Sequence, residues 1–274
     1  MATMTRRSGS EQGFDQLLEY IGDELDFESG FYNDAYMDRR ITARMRRTDT
    51  DSYRAYHRLL ERDDGEREAL LDSLSINVTG FFRNPEAWDG LRTVLRKLTD
   101  DRRQVNVWSA PSADGREPYS VAMLALDDPG IDADRIDVLG TDINHEILRT
   151  ARSGVYETSK TTDIAEELEP LSQLDPYIQR DGNTFEVRDR VSELVSFEQH
   201  DLIRGESKGP FDLVLCRNLL IYIDSSYKVP IFETIEGSLR DGGYLMIGMT
   251  ETIPAEMRET FEAADKQHRI YRKR

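Results

Sequence analysis

The side chains best placed to do chemistry gather around one stretch, VNVWSAPSADGREPYSVAMLAL at residues 105–126. It runs from an alternating apolar segment through a loop of small residues into a second apolar segment at helical spacing. A strand feeding a loop and then a helix sets backbone N–H groups and a helix N-terminus at the carboxyl edge of a sheet. Open α/β sheets hold nucleotide-like ligands at that edge. The loop's single glycine, Gly115, falls short of the G-x-G-x-x-G pattern that lets a backbone close on a pyrophosphate. Glu117, at the mouth of the helix, is poorly suited to phosphate and well suited to an amino group or a sulfonium. The loop therefore favours S-adenosylmethionine over a nicotinamide dinucleotide.

Other polar positions point to the same edge. Residues 136–142, IDVLGTD, read as a second buried strand ending in Asp142. An acid there either accepts both ribose hydroxyls or caps the helix of NHEILRTARSG, a role that Asn144 could equally fill; Gly154 then ends that helix. FDLVLCRNLLIYID, residues 211–224, is the most hydrophobic run, and Phe211 to Cys216 reads as a central strand. Arg217 and Asn218 follow at its carboxyl end, on the ligand side. Tyr222 either shares the crevice or is a core tyrosine. Cys216 reads as packing, because no histidine lies near it in sequence. Upstream, SINVTGFFRN at residues 75–84 interleaves Asn77, Thr79 and Arg83 with Ile76, Val78, Phe81 and Phe82, which holds polar groups beside an apolar anchor.

Regular elements must carry these positions. Phe14, Leu17, Leu18, Ile21 and Leu25 recur at three and four, an amphipathic helix, and helical character continues to about residue 75. Asn84 and Pro85 read as N-cap and first position of a helix whose apolar face is Trp88, Leu91, Leu95 and Leu98. Between residues 155 and about 200 the strand–helix alternation breaks. A charged helical piece, an Asp181-Gly182-Asn183 turn, TFEVR and the run Val191 to Glu198 read as a small inserted hairpin subdomain, with the sheet re-entered near Asp201 and Leu202. A helix from about Tyr227 to Leu239 follows, with Pro230 tolerable only in its first turn. Residues 244–253 form the next strand segment, and the closing RIYRKR reads as an edge strand. The expected organisation is a flexible tail at 1–13, a helical domain at 14–84 and an α/β domain at 85–274 with its insert at about 155–200.

The balance of 53 acidic against 36 basic residues, a formal charge of −17, argues against nucleic acid or an anionic membrane as the main partner. Spread along the chain, these acids suit a soluble surface in strong brine, or an ordinary acidic cytosolic protein. One cysteine excludes an internal disulfide, and four scattered histidines offer no metal-binding spacing, so no metal is expected. No apolar run reaches the roughly 20 residues of a spanning helix, and Arg6 and Arg7 precede no secretory apolar stretch, so the expected location is the cytoplasm. Against the negative background, RRITARMRR at residues 39–47 carries five arginines and no acid. It is either a solvated helix face or a dock for an acidic partner, since arginine grips carboxylates bidentately.

With these residues assembled, nearly the whole chain resembles the chemotaxis receptor glutamate methyltransferases, the CheR family. SINVTGFFRN is similar to the family's T-N-x-T-x-F-F-R segment, VWSAPSADGREPYS to its W-S-A-x-S-x-G-E-E-P-Y-S loop, LGTDIN to the strand ending in the ribose-binding acid, and CRNLLIYID to C-R-N-x-x-I-Y-F. The resemblance implies a helical N-terminal domain, a Rossmann-like S-adenosylmethionine-dependent methyltransferase sheet and a small inserted antiparallel β subdomain. It implies methyl transfer to glutamate carboxylates in the cytoplasmic signalling domains of methyl-accepting chemotaxis receptors, giving methyl esters and S-adenosylhomocysteine, from a monomer that does not enter the membrane. Cofactor contacts fall to Asn77, Thr79, Arg83, Ala110, Glu117, Asp142, Asp201, Leu202, Arg217 and Asn218. Arg83, Arg217 and Tyr222 line the reaction centre, and Arg39, Arg40, Arg44, Arg46 and Arg47 match the receptor-facing surface. Departures are Pro111, Asp114 and Arg116 in the loop, Asp201 for an asparagine, and Met249-Thr250 for H-S. The insert lacks the glycine-rich turn of members that tether to a receptor's C-terminal peptide, which favours tether-independent recognition.

A glutamate carboxylate is ionised at neutral pH, so its attack on a sulfonium methyl needs no general base. In-line positioning at roughly 3 to 3.5 Å in a dry site is then the main demand. The arginines cannot act as bases; Arg83 and Arg217 orient carboxylates and Tyr222 positions by hydrogen bond. Competing readings are a methyltransferase for another protein or a small carboxylate, a silent S-adenosylmethionine-binding regulator and, weakest, a nicotinamide oxidoreductase.

Overall fold

The computed structural model describes residues 9–25, 27–74, 79–159 and 161–274. The chain divides into two compact units, one of Met1–Ile76 with Tyr222–Tyr227, the other of Asn77–Ile221 with Lys228–Arg274. In the first, helices α1 (Gly9–Leu25), α2 (Asp34–Arg47), α3 (Tyr53–Leu60) and α4 (Asp64–Leu74) close around Leu17, Ile21, Met37, Ile41, Leu60 and Leu70. Asn33 caps α2 by accepting from the Tyr36 amide at 2.9 Å, and Ser52 caps α3 through the Ala55 amide. The first expected helix begins earlier than Phe14, because α1 takes in part of the stretch assigned to the tail. The segment 222–227 joins this unit by pairing: Tyr32 bridges Ile223, and the Asn33 amide donates to the Tyr222 carbonyl at 2.9 Å.

The second unit alternates helix and strand: α5 (Ala87–Asp101), β1 (Val105–Ser109), α6 (Arg116–Asp127), β2 (Ile136–Asp142), α7 (His145–Ser153), β3 (Val155–Glu157), α8 (Ile164–Glu167), β4 (Ile178–Asp181), β5 (Thr184–Val187), α9 (Asp189–Ser192), β6 (Val195–Gln199) and β7 (Phe211–Cys216). It closes with α10 (Ser225–Ser238), which enters this unit at Lys228, then β8 (Leu239–Ile247), β9 (Phe261–Asp265) and β10 (Ile270–Lys273). Seven strands form one sheet in the order β6-β2-β1-β7-β8-β10-β9, with β10 antiparallel to both neighbours and the other pairs parallel. Leaving β1, the chain winds out through β2 to β6 and then returns to β7 on the other side of β1. That reversal puts a topological switch point at the carboxyl ends of β1 and β7, where such sheets bind ligands. The core under it includes Val105, Val107, Val121, Met123, Leu213 and Leu215. This is the Rossmann-like sheet, helical N-terminal part and small antiparallel sheet that the sequence implies.

Some element assignments change. The inserted sheet is β3-β5-β4, while Val195–Gln199 pairs parallel with β2, Val138 opposite Val195. The chain therefore re-enters the main sheet before Asp201, and residues 189–192 are a helical turn. The Phe197 ring meets Tyr119 of α6 at 5.4 Å, and this packing holds the strand on the main sheet. RIYRKR is interior, between β8 and β9, and the edge is β9. Asn84 adopts φ 58° rather than a cap geometry, and α5 begins at Ala87. Helix α10 begins at Ser225, where Asp224 accepts from the Ser226 amide at 3.0 Å, so Pro230 lies past the first turn. Residues 79–84 belong to the second unit: the Phe82 amide donates to Ser120 Oγ at 3.0 Å, and the Phe81 amide to Glu167 at 2.9 Å.

Candidate active site

Three chain segments meet at the switch point. Past β1, the Ala110 amide continues the pairing with the Leu215 carbonyl at 2.9 Å. The loop then turns through Ala113 at φ 47° and Gly115 at φ 90° into α6. A Cβ on Gly115 would lie 2.9 Å from both Ala151 Cβ and Phe197 Cζ, so the left-handed turn and the close packing both demand glycine. Past β7, Asn218 takes φ 61°, and in the 79–84 segment Phe82 and Asn84 take φ 46° and 58°. Left-handed conformations at residues other than glycine cost energy and persist where the surroundings over-determine them. Phe82, Asn84, Ala113 and Asn218 lie on the segments that line one edge of the sheet, while Asp49 and Arg269 take the same conformation outside them.

Arg217 ties these segments together. Its side chain is fully buried and donates from Nη1 to Glu117 at 3.0 Å and from Nη2 to the Arg83 carbonyl at 2.8 Å. Its guanidinium carbon lies 5.6 Å from the centre of the Trp88 ring, whose Nε1 donates to the same Arg83 carbonyl at 3.1 Å. Ser109 Oγ donates to the other Glu117 oxygen at 2.9 Å. Glu117 and Arg217, predicted from separate motifs, are thus brought together beside the Arg83 backbone. Glu117 is committed to a cation of the protein itself, and its remaining lone pairs are what a ligand amino group could use. Cys216 is wholly buried, and desolvation pushes its thiol well above the ordinary value, as suits packing.

Asp142 ends β2 beside this loop. Its oxygens accept from the Ala113 amide at 3.0 Å and the Asn144 amide at 2.9 Å. Burial pushes its carboxyl up to about 6, against the pull of those amides. Asn144 does the capping, accepting from the Glu146 and Ile147 amides. Asp142 is thereby left to the loop. Thr79 is half-buried on irregular backbone, and Leu202 is buried. Asp201 spends one carboxylate oxygen on the amides of Ile203 and Arg204, at 2.8 and 3.0 Å. Asn77 lies outside the described residues. Tyr222 belongs to the helical unit, its ring 4.9 Å from that of Tyr36.

Sequence reading missed several contributors. Glu251, just beyond β8, is buried against the turn after β7; a carboxylate next to the carboxyl end of a central strand was the available signal. Arg116, read only as a departure, pairs with Asp114 at 2.9 Å and with Glu167 at 3.0 Å, and Glu167 also accepts the Phe81 amide. Ser112 Oγ, Asn218 Oδ1 and Arg217 Nε are buried with no hydrogen-bond partner among the described residues. Buried polar atoms are normally paired, and such unpaired groups beside a switch point fit a polar ligand such as an adenosyl amino acid. Among the described residues, no group of three or more His, Cys, Asp or Glu side chains could hold a metal, and no helix is long and apolar enough to cross a membrane.

In the helical unit, the arginine run lies on α2 and divides. Arg39, Arg46 and Arg47 are exposed, and Arg40 lies over the Tyr36 ring at 5.3 Å. Arg44 turns inward, contrary to its assignment to the receptor surface. It pairs with Glu66 through Nε at 3.0 Å and Nη2 at 2.5 Å, and the same carboxylate accepts the Tyr56 hydroxyl at 2.5 Å. Glu66 is 7% exposed, and a buried carboxylate needs such a partner. Arg40, Arg44 and Arg47 also line a cleft of about 390 Å³ with Asp72 and Ser73.

Comparison with known proteins adds to this geometry. The family model described as "CheR methyltransferase, SAM binding domain" matches residues 77–270, and "CheR methyltransferase, all-alpha domain" matches residues 12–75. The chain is 33% identical to a probable chemotaxis protein methyltransferase of Rhizobium etli, over 81% of this chain and 86% of that protein. It is 30% identical to the chemotaxis protein methyltransferase of Listeria monocytogenes, over 84% and 86% of the two chains. To that of Escherichia coli it is 32% identical, over 77% and 74%.

Proposed function

Because this chain belongs to the CheR methyltransferase family, we propose that it methylates glutamate side-chain carboxylates in the cytoplasmic signalling domains of chemotaxis receptors, yielding glutamate methyl esters. When bound, S-adenosylmethionine supplies a methyl group activated on a sulfonium, and S-adenosylhomocysteine remains. The observation that carries the reading is the buried Arg217, held by Glu117, the Arg83 carbonyl and the Trp88 face at the switch point. Arg217 Nε is buried with no hydrogen-bond partner among the described residues, which leaves a cationic donor at the switch point beyond the Glu117 pair. A guanidinium N–H can only donate, so it suits a carboxylate rather than an amine.

The residues divide the work accordingly. Glu117 and the guanidiniums present both charge signs that the amino-acid end of the cofactor carries. Asp142, ionised, accepts hydroxyls of a ribose. Thr79, Ala110, Asp201, Leu202 and Asn218 complete the cofactor contacts, and Arg83 with Arg217 orients carboxylates. No residue has to remove a proton from the acceptor, so placement and exclusion of water supply the rate. Arg39, Arg40, Arg46 and Arg47 on α2 form the surface for the acidic receptor helices, with Arg44 holding that helix in place. The protein acts in the cytoplasm.

The test is incubation with methyl-labelled S-adenosylmethionine and receptor-bearing membranes, followed by mild alkali. Label released as methanol supports carboxyl methyl esters. Alkali-stable label means amine or amide methylation, and cofactor binding without label means a silent regulator. In the same assay Arg83→Ala should lower turnover more than tenfold; a wild-type rate removes Arg83 from the reaction centre.

A further inference from the structure

The turn after β7 is gathered onto one buried carboxylate. Glu251, 3% exposed, accepts from the amides of Asn218 at 3.0 Å, Leu220 at 2.7 Å and Gly248 at 2.6 Å, and the Ile221 amide joins them. An ionised carboxylate can accept several amides at once through its two oxygens, whereas a glutamine would turn its NH2 group toward the donors. Burial pushes the Glu251 carboxyl up while these amides pull it back down. Gly248 makes the approach possible, since a Cβ there would lie 2.5 Å from Glu251 Oε2 and 2.9 Å from the Asn218 amide.

What this collar holds is a strained turn. Asn218 sits at φ 61°, directly after the buried Arg217, and its Oδ1 is buried with no partner among the described residues. Left alone, the amides of the turn would have to find other acceptors, and the left-handed residue would relax. We propose that Glu251 is a positioning residue, fixing the turn that presents the Asn218 side chain to the cofactor. It acts through the backbone amides on which its oxygens are spent. The inference rests on the reading of Asn218 as a cofactor contact.

Calorimetric titration of S-adenosylhomocysteine into the full-length protein separates the two claims, at a temperature where circular dichroism shows every variant folded. Glu251→Gln should weaken binding at least tenfold, and Asn218→Ala should do likewise. The double variant should bind no more than about twofold worse than the weaker single, because both changes remove the same contact. Asp128→Asn, which removes the buried partner of Arg92 and Arg96 elsewhere in the unit, should lower the melting temperature and leave affinity within twofold. If Glu251→Gln does not fold, Gly248→Ala disturbs the same collar and should weaken binding at least threefold. Wild-type affinity in Asn218→Ala overturns the underlying reading. Weakened binding there with wild-type affinity in Glu251→Gln, or in Gly248→Ala if that variant stands in, overturns the role of Glu251. So do fully additive losses in the double variant.

Discussion

At Asp142 one cause produces two pH dependences of opposite sign. Burial raises the carboxyl from 3.8 to about 6 in the folded chain, so ionising it costs the fold free energy. That cost is present above about pH 6 and is relieved as the pH falls from 6 towards the unfolded value. Ligand binding runs the other way, because the ionised form is the better acceptor of ribose hydroxyls. Affinity for S-adenosylhomocysteine should therefore fall severalfold between pH 7 and pH 5, and Asp142→Asn should bind at least tenfold more weakly at pH 7 with that fall flattened. Titration calorimetry across the range decides it; an unchanged slope in the variant assigns the titration elsewhere. The acid at the end of its strand was legible from IDVLGTD alone. Its partners were less so: the Arg217–Glu117 pair spans a hundred positions of sequence, and no local pattern announces an ion pair of that separation. The inward turn of Arg44 was hidden for the same reason, since Glu66 lies on a different helix.

At the scale of elements, the segment 79–84 is pinned by a helix of the insert. Glu167, at the end of α8, accepts the Phe81 amide and pairs with Arg116 at the start of α6, and Arg116 also holds Asp114 in the loop. Phe81 meets Tyr156 of β3 edge-on at 5.1 Å. Glu167→Ala frees the Phe81 amide and half-unpairs Arg116, so it should cost about 1–3 kcal/mol in chemical denaturation and raise hydrogen exchange at Phe81. Unchanged exchange at that amide removes Glu167 as the pin. The main sheet was largely readable because its strands are continuous apolar runs, as FDLVLC shows, buried along its whole length. What failed was pairing. VSFEQ has the alternation of a strand, but alternation does not say which sheet a strand joins, and its partner β2 is remote in sequence. The edge strand FEAAD was passed over because its exposed acids and alanines carry little strand propensity, and charge of that kind protects an exposed edge. RIYRKR has the alternation of an edge strand and only Ile270 in it is buried, yet it pairs with β8 on one side and β9 on the other.

Taken as a whole, the molecule carries −17 formal charges, and salt acts on that excess and on the basic face of α2 in opposite directions. Mutual repulsion among spread acids weakens the compact state at low ionic strength. The screening length shrinks from about 10 Å at 0.1 M salt to about 3 Å at 1 M, so repulsion between neighbouring surface acids is largely removed over that interval. The melting temperature should rise by at least 5 °C between 0.1 and 2 M potassium chloride. The proposed docking of Arg39, Arg46 and Arg47, exposed on α2, onto an acidic receptor surface is an attraction and is screened by the same ions. The Michaelis constant for receptor should therefore increase with salt while affinity for S-adenosylhomocysteine, set by buried groups, changes little. Reversing Arg46 and Arg47 to glutamate should raise the receptor Michaelis constant at least tenfold at low salt, narrow the gap to wild type at 2 M, and leave cofactor affinity intact. A flat or falling melting temperature would sink the surface-charge argument. A receptor Michaelis constant indifferent to both salt and charge reversal would move docking off this helix and onto another part of the chain.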